Sequence, residues 1–208
     1  RAPGWLEGFW KDVPGVMNAD PKKFENAELL PRISYQDAVE LAYFGTSVIH
    51  PKTIKPLQNK NIPLFVRSFT SPSAEGTRID NQPNSTSIPS YIIKEDQVLV
   101  SIHPRDFSFI VESNLQNIFS EMNRLRIKSN VMQNSALSFS FSMDLDEEKL
   151  KALQESVGEN HEVRFNKNCR LLTVRHFNDE ILKKLAGKAE VLLEQRTRNT
   201  VQLVLQKN

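Results

Sequence analysis

The chain has 208 residues, 27 Lys or Arg against 25 Asp or Glu, and a formal net charge of +2. Length bounds it to one or two domains, and its hydrophobic fraction of 39% is that of an ordinary globular protein able to bury a core. No basic run exceeds two residues and no apolar stretch approaches the roughly 20 residues of a membrane span, so neither nucleic acid nor a bilayer is an expected partner.

The single cysteine, Cys169, excludes an internal disulfide framework and fits a reducing compartment, expected to be the cytoplasm. The opening, from Arg1 to Phe9, leads into no clear pattern. Asp37 to Tyr43 places Ala38, Leu41 and Ala42 on one helical face, with Ser34 as an N-cap and Gly45 as a stop. A short helix is expected over Ile54 to Asn59, after the His50-Pro51 step, and a buried strand over Ile62 to Val66. Residues 70–90 are dominated by Pro, Ser, Asn and Gly, the composition of a linker. The chain is therefore divided into 1–88 and 89–208.

After the linker the periodicity becomes regular. Val98, Val100 and Ile102 alternate as a strand, and Leu115, Ile118, Phe119, Met122 and Leu125 recur at helical spacing. A return strand begins near Val131. Leu137, Phe139, Phe141 and Met143 alternate strictly with serines, which line either a solvent face or a second packed face. Asp144 or Asp146 can cap a helix carrying Leu150 and Leu153. Val163 and Phe165 mark a strand. A shorter copy follows: strand at Leu171 to Val174, helix at Ile181 to Leu185 ended by Gly187, strand at Val191 and Leu193, turn at Arg196 to Asn199, and strand over Val201 to Leu205. The second copy lacks a closing strand, and Tyr91 to His103 is its natural donor.

The four histidines have no spacing suited to zinc, so no metal site is expected. His50 reads as part of a turn, and Cys169 reads as core, since no positioned base accompanies it. Asp146-Glu147-Glu148 reads as the acidic first turn of a helix.

Two stretches carry a family resemblance. Trp10-Lys11-Asp12-Val13-Pro14-Gly15, followed by Asp20-Pro21-Lys22, resembles the Trp-Thr-Asp-Val-Pro-Gly…Asp-Pro-Arg segment of aspartate kinases. Ile33 to Pro51, with Ser34-Tyr35, Glu40-Leu41-Ala42-Tyr43-Phe44-Gly45 and His50-Pro51, resembles their Ser-Tyr…Glu-Leu-Ala-Tyr-Phe-Gly…His-Pro signature. Ile62 to Phe69, Pro72 and Gly76-Thr77 continue it in register.

The resemblance implies an α+β chain: the C-terminal fragment of an α/β amino-acid kinase domain, then tandem ACT domains of ferredoxin-like βαββαβ topology. The first ACT unit is expected at about 104–167 and the second at about 168–208, completed by strand 91–103. It implies a parent enzyme that transfers phosphate from ATP, with Mg, to L-aspartate. The phosphate-holding Lys-Phe-Gly-Gly-Thr motif of the family does not occur in this sequence, so the chain alone is expected to be inactive, with no catalytic residue and no cofactor of its own. Nucleotide-facing positions of the family fall on Lys11, Asp12, Met17, Lys22 and Ser47; only Asp12 is unchanged, and Lys22 loses the arginine fork. The effector loop of the family falls on Asp106 to Leu115, with Asp106, Phe107, Ser113, Asn114 and Leu115 as site residues. Its receiving strand falls on Asn130 to Leu137, with Asn130, Ser135, Ala136 and Leu137. Lysine-binding members carry carboxylates where this chain has Asn130 and Ala136, which removes the obvious partners of a cationic side chain; the implied effector is lysine or threonine, the alternative being ACT units that only dimerise the parent with no effector bound. The implied partners are that amino acid, a second copy through the ACT units, and the N-terminal kinase domain. No dinucleotide fingerprint is present, so a parent with the kinase as its one activity is expected rather than a fusion to homoserine dehydrogenase.

Overall fold

The structure is a computed structural model that describes residues 7–45, 49–82, 88–106 and 108–207. Two compact units divide it: Arg1–Ile92 with Val174–Asn178, and Ile93–Thr173 with Asp179–Asn208.

The first unit is built on a four-stranded sheet in the order β1-β3-β4-β2, from Glu7–Lys11 (β1), Arg32–Ser34 (β2), Leu64–Ser68 (β3) and Thr77–Asp80 (β4). β1 runs parallel to β3 and β2 parallel to β4, while β3 and β4 are antiparallel. Helices α1 (Tyr35–Phe44) and α2 (Pro51–Asn59) supply the apolar faces that pack with Leu64, Val66, Ile33 and Ile79 into one core. α1 begins where the sequence predicts: the Ser34 hydroxyl accepts from the Asp37 N–H at 3.0 Å, and Gly45 ends the helix at φ +128°. His50 caps α2, its Nδ1 accepting from the Lys52 N–H at 3.1 Å, with Pro51 at the first helical position. Thr77 joins three segments, since its Oγ1 accepts from Val16 N–H at 2.8 Å and donates to Leu30 O at 2.7 Å.

The second unit holds a six-stranded sheet in the order β6-β7-β5-β8-β10-β9. Its strands are Ser90–Pro104 (β5), Val131–Asn134 (β6), Phe139–Asp144 (β7), His161–Arg175 (β8), Val191–Arg196 (β9) and Thr200–Gln206 (β10). Helices α3 (Glu112–Arg124), α4 (Glu147–Val157) and α5 (Asp179–Ala186) fall at the predicted places. The alternation in β5 and β7 puts Val98, Val100, Ile102, Phe139, Phe141 and Met143 against Ile118, Met122, Leu150 and Leu153 of α3 and α4. The opposite face is packed too. Leu99, Val131, Cys169, Leu171, Leu193 and Val204 form a second cluster, and β6 and β9, at opposite ends of the hydrogen-bonded order, come into contact. Of the two readings of the serine alternation, the packed one holds: Ser142 is fully buried and Ser140 Oγ bonds Ser101 Oγ at 2.8 Å.

Two expectations are corrected. Residues 70–90, read as a linker, contain β4, a four-residue strand with a single aliphatic side chain and so no apolar alternation to read, whose Thr77, Ile79 and Asp80 are buried. Residues 163–165 and 171–174, read as separate strands, are one strand, β8. Its middle, Arg164 to Asn168, is mostly polar and exposed, so it shows no alternation to read. Asn168 takes φ +61° there, and its carbonyl accepts from the Lys207 N–H at 2.9 Å.

Candidate effector site

The loop after β5 and the hairpin between β6 and β7 meet through one backbone bond, Ile110 N–H to Ala136 O at 2.9 Å. On the loop, Asp106 Oδ1 accepts from the Ser108 N–H at 3.0 Å. Hydrogen bonds from Ser108, side chain first and backbone second, hold the Asp106 carboxyl below the ordinary aspartate range. Asn114 Oδ1 accepts from the Val111 N–H at 3.1 Å and so closes the start of α3; Ser113 is exposed and Leu115 packs on the core. Phe107 lies outside the described residues. On the hairpin, Ser135 makes a tight turn with Ser138, N–H to O at 2.8 Å and Oγ to Oγ at 2.8 Å. That turn presents Ala136 and Leu137 at its tip, Leu137 exposed. Phe109 and Val111 beside it are exposed as well, so this end of the unit is apolar on its surface.

Asn130 is not part of that group. It sits before β6, where its N–H donates to Ser142 O at 2.7 Å, while Asn134 pairs with Phe139 at the hairpin end. The strand between spans about 13 Å at about 3.3 Å per residue. Asn130 belongs instead to a polar cluster. Its Nδ2 donates to Gln97 Oε1 at 2.8 Å and to Asp144 Oδ1 at 2.9 Å, and its Oδ1 accepts from Lys94 Nζ at 2.8 Å. Gln97 is wholly buried and donates to Asp144 Oδ1 at 2.7 Å; Ser142 Oγ donates to Gln97 Oε1 at 3.0 Å. Burial pushes the Asp144 carboxyl up, but hydrogen bonds from Gln97 and Asn130 and the charge of Lys94 outweigh it, and the net shift is downward.

The residues at nucleotide-facing positions lie on the first unit. Lys11 ends β1 and its carbonyl accepts from the Phe69 N–H at 2.9 Å. Asp12 is exposed beyond it. Met17 bridges to Leu29, and Lys22 lies in a turn organised by Asp20, whose Oδ1 accepts from the Lys22 N–H at 3.0 Å. Ser47 lies outside the described residues. Asp12 offers one carboxylate to a cation and Lys22 one ammonium to phosphate. The sequence brings no glycine-rich phosphate cradle to them, so this residue set does not by itself fit ATP and Mg.

Two arrangements lie outside the residues picked from sequence. One is the Lys94–Gln97–Asp144 set around Asn130. The other is Arg175 with Asp37, Glu40 and His176. The sequence signal for the second was a lone charge at the end of the apolar run Leu171 to Val174.

The first unit's segment 8–68 matches the model of the amino acid kinase family. That segment carries β2, β3, most of β1 and both helices of the first unit. Among curated proteins, the bifunctional aspartokinase/homoserine dehydrogenase of Haemophilus influenzae is 48% identical over 80 residues, 38% of this chain and 10% of that protein. Aspartokinase 3 of Arabidopsis thaliana, a chloroplastic protein, is 30% identical over 141 residues, 65% of this chain and 24% of that one. The fold of the whole chain follows the aspartate kinase of Clostridium acetobutylicum, TM-score 0.82 at 21% identity, over 97% of this chain and 51% of that one. Escherichia coli aspartokinase III in complex with aspartate and ADP gives 0.75 at 21% identity, over 96% and 48%. By sequence and by fold, the chain is similar to part of an aspartokinase. It spans about half the length of the solved relatives, and its matches span a quarter or less of those curated ones.

Proposed function

We propose that this chain is the amino-acid-sensing and dimerising regulatory portion of an aspartokinase, joined to the last part of its kinase domain. The parent phosphorylates L-aspartate with ATP to 4-phospho-L-aspartate, on the path to lysine, threonine and methionine. The observation that carries the reading is the combination in one chain of a segment alike in sequence to aspartokinases and a six-stranded, two-faced sheet that follows aspartokinase structures.

The effector is lysine or threonine. Support comes from the junction of the 106–115 loop with the 135–138 turn, and from E. coli aspartokinase III, a fold relative solved in complex with lysine and aspartate. The exposed Phe109, Val111 and Leu137 support a homodimer formed through this end of the sheet. The chain on its own does not turn over, because phosphoryl transfer rests on positioning and charge neutralisation that the N-terminal kinase domain supplies. The location is the cytoplasm; among the described residues no helix is long and apolar enough to cross a membrane.

A second reading has its own observation. The Lys94, Gln97 and Asp144 side chains already use the hydrogen-bonding groups of Asn130. That favours ACT units that only dimerise the parent. Thermal unfolding with lysine, threonine, methionine and aspartate at millimolar concentration separates the two. A ligand at about a hundred times its Kd adds about 2.7 kcal/mol. A rise in Tm with one amino acid identifies the effector, and no rise with any of them leaves the dimerising role.

A further inference from the structure

The second unit holds a cavity that shares no residue with the loop and turn described above. Its volume is about 460 Å3, within the roughly 300–1,000 Å3 of small-molecule sites. Three parts of this unit wall it: β8 through Arg170, the end of β10 through Gln206 and Lys207, and the last turn of α5 with the residues that follow, 184–189.

Chain geometry makes these walls cationic. Cys169 packs in the inner cluster of the sheet, so Arg170, the next residue of the strand, projects from the other face and lines the cavity. α5 ends with Lys183 and Lys184 in its last turn and closes at Gly187, whose N–H donates to Lys183 O at 3.0 Å. Gly187 takes φ +60°, and a Cβ there would meet nothing within 4 Å, so the chain turns beside the cavity without filling it. Arg170, Lys184, Lys188 and Lys207 line the cavity, and no carboxylate side chain does among the described residues. Lys207 is already paired, its Nζ lying 2.7 Å from Glu95 and 3.6 Å from Asp96. Arg170, Lys184 and Lys188 make no ion pair among the described residues.

The dipole of α5 favours a cation at its last turn and so accounts for Lys184. It does not account for Arg170, which comes from a strand, nor for Lys188 beyond the turn. Like charges gathered in one recess without counter-charges are unfavourable, and a bound anion relieves them. We propose that this cavity binds a small phosphorylated anion, with Arg170 forking two phosphate oxygens and Lys184 and Lys188 supplying point charges. The guanidinium fork matches phosphate geometry, and the ammonium groups suit it as compact charges. Three cations without carboxylate partners call for a ligand with two or more negative charges. A free amino acid such as threonine is a zwitterion with no net charge to offer them, so this cavity and the effector loop select different chemistry, and the proposal stands apart from the effector reading.

The test titrates the 208-residue chain, without any amino acid, with tripolyphosphate and with glucose 6-phosphate in 0.15 M KCl, where long-range attraction is screened. Backbone amide shifts are read by nuclear magnetic resonance. Saturable shifts at residues 184–189 and 206–207 are expected, with a Kd under about 1 mM. The tighter of the two probes tells a polyphosphate source from a phosphate ester. R170Q and K188Q are each expected to weaken binding about tenfold, the loss of one charge-assisted hydrogen bond. K151Q, which removes an exposed charge from α4 outside the cavity, is expected to leave it unchanged. Lys188 is exposed, so K188Q decides the matter even where R170Q lowers stability. No shift with either probe, shifts that do not saturate, shifts confined to the first unit, or equal weakening by K151Q and K188Q overturns the proposal.

Discussion

Asn130→Ala distinguishes a structural residue from a ligand-binding one. Asn130 makes three side-chain hydrogen bonds, with Lys94, Gln97 and Asp144; Gln97 is buried and Asp144 is exposed. At about 1 kcal/mol each, discounted because Lys94 and Asp144 recover some water, the loss is about 2 kcal/mol. In a unit of roughly this size, about 4 °C of Tm corresponds to about 1 kcal/mol, so the second unit is expected to melt about 8 °C lower. The measurement is calorimetry or near-UV circular dichroism of the ligand-free chain, with urea titration to check that the slope is unchanged. A residue kept for an effector would leave the ligand-free Tm almost where it was and lose only the ligand-induced shift. A fall under about 0.5 kcal/mol refutes the structural assignment. Asn130→Asp sharpens the test. It keeps the acceptor for Lys94 but loses both donors and sets a carboxylate against Asp144. It is expected to be less stable than the alanine variant at neutral pH and to regain ground as pH falls and one carboxyl takes up a proton.

Gly76→Ala is expected to unfold the first unit or lower its Tm by more than 10 °C, because Gly76 sits at φ +70° and a Cβ there would run into the Val66 carbonyl; circular dichroism melting checks it. Ser34→Ala removes the α1 cap and costs about 1 kcal/mol by urea titration. Asp37 and Asp144 have folded pKa values below the unfolded one of about 3.9, so their stabilisation is complete above that value and is lost as pH falls through the depressed folded values; Tm measured downward from pH 5 is expected to fall below about pH 4, and less so in Asp144→Asn. Phe109→Ser with Leu137→Ser is expected to turn a dimer into a monomer by sedimentation without changing Tm extrapolated to low concentration.

Local chemistry was the legible part of this chain. Ser34, Gly45 and the alternation from Phe139 to Met143 each act through their immediate neighbours, and α1 and β7 stand where these signals put them; Leu137, read into the same strand, is exposed in the turn before it. The continuity of β8 was hidden because a strand whose middle is polar and exposed carries no alternation, and only pairing partners far along the chain mark it. The effector loop and turn were placed by resemblance and do touch, at Ile110 and Ala136. Asn130 was placed with them by the same resemblance, whereas the extended chain of β6 sets it apart from the turn by about 3.3 Å per residue.

Arg175 shows the limit of that kind of reading from the other side. Its partners Asp37 and Glu40 lie some 135 residues earlier on α1, where the Asp37 carboxylate is already accounted for by the Ser34 cap. Nothing local asks for a charge after Leu171 to Val174, and a charge buried there is unfavourable until both carboxylates are in place. A residue that is costly by itself and favourable only in a long-range set makes the folding of its segment conditional on the set. For this chain the expected consequence is that Val174–Asn178, which belongs with α1 in the first unit, takes its place after α1 has formed. Refolding followed by pulsed amide exchange is expected to protect α1 before residues 174–178; protection of that segment together with the middle of β8, ahead of α1, would show instead that the sheet alone is enough to hold it.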